Sequence, residues 1–260
     1  QCQATNDQPR VEMNNFGKEI KRVYDAIGPV LVYDDGNKRY LSFGDDDEQG
    51  CILKHQPTRI QYTYVRAMLL NLLFDATPNR ALLLGLGSGA LANLLYHQLP
   101  KAHIDVVELR KVVVDLAYSH FQLARHPRLS VRVGDAAAAL AEPVEQPYDL
   151  ILSDIYHATG MDAQQSQASY LDRCYRLLAP QGWLVVNFWQ EHKQAELLTQ
   201  LHELFAQVWV NNIDSGNWIV MATNSPGLPS DVELKSNLND WNKRLGFSLT
   251  QVATGLRLHR

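Results

Sequence analysis

The stretch ALLLGLGSGALANLL (81–95) carries an apolar run into a turn with three glycines and out into an apolar segment at helical spacing. Gly85, Gly87 and Gly89 bare the backbone at that turn, and a strand–glycine turn–helix order is the opening βα unit of an open α/β sheet. In such sheets ligands sit outside the carboxyl ends of the strands. Downstream, HIDVVEL (103–109), LSVRVGD (129–135), DLILSD (149–154) and GWLVVNFW (182–189) alternate with helical patterns over 90–98, 111–124 and 166–178. That alternation predicts a mostly parallel, Rossmann-like sheet with helices on both faces. FAQVWVNNI (205–213) and GNWIVMATN (216–224) are separated by too few residues for a helical crossover, so they are expected to form an antiparallel hairpin at the sheet edge. The residues 231–247, DVELKSNLNDWNKRLGF, read as a C-terminal helix.

Upstream of the glycine turn the texture differs. PVLVYDDGNKRYLSFGDDDEQGCILKH (29–55) reads as three short strands, and PTRIQYTYVRAMLLNLLF (57–74) as a helix leading into the main domain. Residues 1–27 are polar, with a short helix expected around Phe16 to Ala26. The division expected is an extension (1–27), a small β domain (28–56), a Rossmann-like catalytic domain (57–225) and a helical tail (226–260). At 260 residues the chain suffices for one sizeable core and a small appendage. With 46% hydrophobic and 20% charged residues it has the composition of a globular protein, and no apolar run is long enough for a membrane span. A net charge of -4 argues against a nucleic-acid partner. Cys2, Cys51 and Cys174 are widely spaced and make neither a disulfide framework nor a metal motif. The chain begins without Met and without a basic-then-apolar leader, so a cytoplasmic location and a trimmed or processed start are expected.

Two ligand readings compete at the turn. Gly85-x-Gly87-x-x-Ala90, with Glu108 ending the next strand about 20 residues on, satisfies the dinucleotide fingerprint of a nicotinamide or flavin enzyme. An adenosyl-sulfonium site is favoured over it because Asp135 and Ala136 follow the third strand, Asp154 ends the fourth, and the closing hairpin matches the class I methyltransferase-type sheet. Asp135 is placed to meet an adenine amino group and Asp154 to lie beside the sulfonium. Trp183, Trp189, Trp209 and Trp218 lie in or beside strands and read as packing residues.

With these residues in order the chain resembles the polyamine aminopropyltransferases, or spermidine synthases. The resemblance spans about 28–225 and rests on RYLSFGDDDEQ (39–49), QYTYVRAMLL (61–70), LLLGLGSGALA (82–92), VVELRKVVVDLA (106–117), VGDA (133–136), YDLILSD (148–154) and YRLLAPQGWLVVNFW (175–189). It implies a small N-terminal β domain, a homodimer, no metal, and transfer of an aminopropyl group from decarboxylated S-adenosylmethionine to putrescine. By residue-wise match it puts Gln49 on the donor's tail, Gly85, Gly87, Ser88 and Gly89 around the donor, Glu108 on the ribose, Asp135 and Ala136 at the adenine, Asp154 on the attacking amine and Tyr64 in the substrate channel. Tyr156 and His157 join the catalytic candidates beside Asp154.

Three positions depart from the family pattern. Its glycine loop reads GGGDGG, with Ser88 here in place of an Asp that meets the donor's amino end. Its second acid after the catalytic Asp falls at His157. Its Y-H-E-M-L segment reads YVRAM, so Val65 and Arg66 replace His and Glu. These changes are expected to strip negative charge from the channel, with Arg66 adding positive charge. Asp45 to Glu48 are expected to be solvated surface. The departures open a second reading, methyl transfer from intact S-adenosylmethionine to a small non-polyamine acceptor. A third is a non-catalytic nucleoside-binding relative.

Overall fold

The computed structural model describes residues 16–44, 48–74 and 77–260. Two sheets dominate it. The smaller is an antiparallel meander of β1 (Lys18–Tyr24), β2 (Pro29–Asp34), β3 (Lys38–Ser42) and β4 (Glu48–Leu53). After it come α1 (Thr63–Met68) and a 3-10 turn over Leu69–Leu73, a shorter and tighter helix than the run 57–74 predicts.

The βα alternation then unfolds as expected, through β5 (Arg80–Leu84), α2 (Ala90–Gln98), β6 (His103–Glu108), α3 (Lys111–His120), β7 (Leu129–Val133), α4 (Ala136–Leu140) and β8 (Tyr148–Ser153). A small hairpin, β9 (Tyr156–His157) with β10 (Gly160–Met161), precedes α5 (Ala168–Leu177), β11 (Leu178–Trp189), α6 (Ala195–Leu204), β12 (Gln207–Asn212) and β13 (Asn217–Thr223). The chain closes with α7 (Asp231–Leu245), α8 (Thr250–Ala253) and β14 (Arg257–His259).

The large sheet has the order β14-β12-β13-β11-β8-β5-β6-β7. Strands β7, β6, β5, β8 and β11 run parallel, and β13, β12 and β14 are antiparallel to their neighbours. The strand order reverses between β5 and β8, which opens the crevice where α/β sheets bind ligands. Alternate side chains of the central strands face opposite layers: Leu83, Val106, Leu152 and Val185 bury into one, Leu82, Leu84, Ile151 and Val186 into the other. Two buried faces explain why ALLL and LILS read as unbroken apolar runs rather than alternating ones.

The small sheet sits on α3, where Val30, Val32, Leu41 and Ile52 bury against Val113, Leu116 and Phe121. Arg110 ties it down. Its guanidinium is 5% exposed, bonds Asp25 at 2.7 and 2.8 Å, donates to the Gly28 carbonyl at 2.8 Å and lies 4.7 Å over the Phe43 ring. That pair holds the Asp25 carboxyl below its usual range and fixes the small sheet beside the carboxyl ends of β5 and β6.

Three expectations need correction. The stretch 16–26 holds β1, not a helix; its residues are almost all exposed, so pairing with β2 stabilises it and burial leaves no periodic signal. The β12–β13 hairpin is one strand in from the edge, because β14 adds outside β12. Trp183 and Trp218 are fully buried, but Trp189 is 39% exposed and lines a cavity. Asp45, Asp46 and Asp47 lie outside the described residues. Among the described residues no helix is long and apolar enough to cross a membrane.

Candidate functional site

A cavity of about 410 Å³ opens at the β5/β8 crevice under the edge of the small sheet. Gly85 makes the crevice possible: its φ is +93°, and a Cβ there would lie 2.2 Å from the Asp154 carbonyl oxygen, so only glycine lets the two loops meet. Glu108, 8% exposed, accepts hydrogen bonds from the Leu86 amide at 3.0 Å and the Arg110 amide at 2.9 Å. Burial pushes its carboxyl up, while those amides pull it back. Ser88 is buried against β4, so closely that a Cβ on Gly50 would meet it at 2.7 Å. Asp135 caps α4 through the Ala138 amide at 2.8 Å and, with Ala136, completes that side of the cavity.

Across the crevice Asp154 presents its carboxyl to the same cavity. Its Oδ1 accepts from the Asn187 amide at 2.8 Å, and the Tyr64 hydroxyl bonds to the carboxyl as well. Desolvation outweighs both bonds and pushes the Asp154 carboxyl up to about 6. Asn187 is itself held by Asn217, whose amide donates to Asn187 Oδ1 at 3.0 Å. The Tyr156 hydroxyl donates to the Asn187 carbonyl at 3.2 Å, and the Tyr156 ring lies 6.2 Å from that of Trp189. On β9, His157 Nε2 is 3.0 Å from Asp162 Oδ2, and Asp162 also accepts from the Gln164 amide at 3.0 Å and its side-chain nitrogen at 2.6 Å.

Gln49, Tyr64, Gly85, Gly87, Ser88, Glu108, Asp135, Ala136, Asp154, Tyr156 and His157 thus share one cavity. Gly89 does not: it turns the chain into α2 and packs toward Leu123, 3.1 Å from where a Cβ would stand. Arg66 is outside as well, because its guanidinium donates to the Ile60 carbonyl at 2.8 and 3.1 Å and lies 5.0 Å over the Phe247 ring. It adds no charge to the cavity. Glu48 was expected on solvated surface; although exposed, it lines the cavity and accepts from the Tyr62 hydroxyl. With Glu48, Glu108, Asp135, Asp154 and Asp162 on its walls and Arg110 bound to Asp25, the cavity keeps an acidic lining despite the lost family acids.

Sequence reasoning missed Asn187, Asn217, Tyr62 and Asp162. Asn187 alone carried a local signal, as a polar residue inside the apolar run LVVNFW at a strand's carboxyl end. Among the described residues no group of three or more His, Cys, Asp or Glu side chains is arranged to hold a metal ion.

Residues 81–182 match the family model described as a methyltransferase domain. The polyamine aminopropyltransferase of Chromobacterium violaceum is 25% identical over 249 residues, covering 94% of this chain and 95% of the relative. That of Vibrio vulnificus is 32% identical over 181 residues, covering 67% of this chain and 60% of the relative. Among solved structures, a probable spermidine synthase from Corynebacterium glutamicum superposes with a TM-score of 0.72 at 20% identity, over 94% of this chain and 91% of that one. The fold is that of a Rossmann-like, methyltransferase-type transferase with an added N-terminal antiparallel sheet. In sequence the chain is similar to polyamine aminopropyltransferases at 25–32% identity, and in fold to a probable spermidine synthase. Its class of chemistry is aminopropyl or methyl transfer from an S-adenosylmethionine-type donor.

Proposed function

We propose that this chain transfers the aminopropyl group of decarboxylated S-adenosylmethionine to the primary amine of a polyamine such as putrescine. The observation that supports it most is the Asp154 carboxylate, set at the crevice between the Tyr64 hydroxyl and the Asn187 amide and facing an acidic, aromatic-walled cavity. A primary amine has a pKa near 10, by analogy with Lys, and arrives protonated. Asp154 orients it and takes one proton, which frees the nitrogen lone pair to attack the carbon beside the sulfur. The N–C bond forms, the C–S bond breaks and neutral methylthioadenosine leaves. Charge disperses from the sulfonium, so positioning by Tyr64, Tyr156 and Asn187 supplies most of the catalysis.

In this reading Glu108 binds the ribose hydroxyls with lone pairs the loop amides leave over, Asp135 the adenine amino group beside Ala136, and Gln49 the donor's tail. The small sheet forms the roof and residues 57–225 the catalytic domain. Glu108→Gln is expected to weaken methylthioadenosine binding by about 1.5–3 kcal/mol, the range for lost hydrogen bonds to a charged group, as read by calorimetry. Unchanged affinity in a folded variant rejects the ribose assignment.

Ser88 favours a second reading, methyl transfer from intact S-adenosylmethionine. An Asp there would meet the donor's carboxylate with about 4 kcal/mol of repulsion at 4 Å and an effective dielectric of about 20; Ser88 removes that barrier. Calorimetric titration with the decarboxylated and intact donors, with and without putrescine, separates the two. Preference for the decarboxylated donor, strengthened by putrescine, supports aminopropyl transfer. Equal or tighter binding of the intact donor, indifferent to putrescine, turns the assignment to methyl transfer.

A further inference from the structure

Each carboxylate on the cavity wall is committed differently. Glu108 is held by loop amides, Asp135 by its helix cap, Asp162 by His157 and Gln164, and Asp154 by Tyr64 and Asn187. Glu48 is bonded by a single hydroxyl, that of Tyr62, with Lys38 near enough to act on its charge. The Tyr62 and Tyr64 rings stack, 5.8 Å between centroids and 10° from parallel. Two tyrosine–carboxylate pairs therefore stand side by side on one wall, Tyr64 with Asp154 and Tyr62 with Glu48. Neither Tyr62 nor Glu48 belongs to the residues aligned with the departures at Ser88 and His157.

We infer that Glu48, oriented by Tyr62, is a second alkylammonium subsite of the cavity, which takes the far ammonium of a diamine whose near amine lies on Asp154. The inference rests on the reading of Asp154 as the amine site. A carboxylate beside stacked aromatic faces suits an alkylammonium doubly, through its charge and through the negative faces of the rings. His157, with Nε2 against Asp162, has no carboxylate to offer at the position where the family's second acid would stand, and Glu48, at the start of β4, supplies one to the same cavity. An ammonium at the donor's aminopropyl end has the same chemistry, so the experiment treats it as a separate arm.

The test uses the full-length protein saturated with methylthioadenosine and titrated by calorimetry with putrescine and with butylamine, which lacks the far ammonium. Wild type is expected to prefer putrescine by about tenfold, the scale of one partly solvated ion pair. Glu48→Gln should abolish that preference and Tyr62→Phe should reduce it, with methylthioadenosine affinity unchanged in both. An undiminished preference in Glu48→Gln overturns the inference, as does equal binding of the two amines to wild type. Should Glu48→Gln instead weaken the decarboxylated donor relative to methylthioadenosine, the subsite belongs to the donor and the diamine assignment is wrong. A separate transfer assay with putrescine reports on the reaction itself: product formation together with an unaltered preference in Glu48→Gln leaves the proposed function standing and removes only Glu48.

Discussion

Asp154→Asn is expected to lower transfer by about 10²–10⁴-fold, the usual range for a positioned acid or base, with methylthioadenosine affinity unchanged. The same variant should be more stable than wild type at neutral pH. With its carboxyl raised from 3.8 to about 6, Asp154 binds its proton more tightly in the folded state than in the unfolded chain. Its contribution to stability is therefore full below pH 4 or so and is lost as pH rises through about 6, where a buried charge must form. Removing that charge should return about 1–3 kcal/mol at pH 7, read by chemical denaturation. Activity has the opposite dependence: it should climb as pH rises through about 6, when the carboxylate becomes available to the amine. Transfer that is intact in Asp154→Asn, or a rate flat from pH 5 to 8 where the acceptor's own ionisation is matched, would remove Asp154 from the chemistry.

Gly85→Ala is expected to be the most damaging single methyl added to the chain. The new Cβ meets the Asp154 carbonyl at 2.2 Å on a backbone with φ +93°, where an L side chain is already strained. The β5 and β8 loops have to part, which strains the core strands beneath them and displaces Asp154. A loss of about 3–5 kcal/mol in unfolding free energy and of methylthioadenosine binding should follow. Gly134→Ala is the control: Gly134 also lines the cavity, but a Cβ there has open space and its φ is not positive. A stability change at Gly134 as large as at Gly85 would show that the damage is general to the cavity rim, not specific to the close approach.

The central sheet and its ligand end were legible in the sequence because buried parallel strands leave apolar runs and their carboxyl ends leave glycines and acids: ALLLGLG, VVELR and ILSD each mark a strand and its site residue, while VRVGD, on the mostly exposed edge strand β7, is marked by its glycine and acid. Two other marginal strands left no such marks. β1 is nearly all exposed and β14 has three residues, so both owe their existence to pairing with a neighbour, which one-dimensional periodicity does not record.

The same distinction runs through the site. The sequence by itself determined which residues end the parallel strands, hence that Gly85, Glu108, Asp135 and Asp154 converge at one crevice. Only the tertiary structure decided what each faces: Arg66 turns onto Phe247, Gly89 packs behind the helix start, Trp189 opens onto the cavity, and Glu48 reaches Tyr62 from another element. The succession of strands and helices along the chain follows from local hydrophobic period and connection length, which are properties of neighbouring residues. Side-chain partners across elements follow from how two sheets and a helix pack, and that information is distributed over the whole chain.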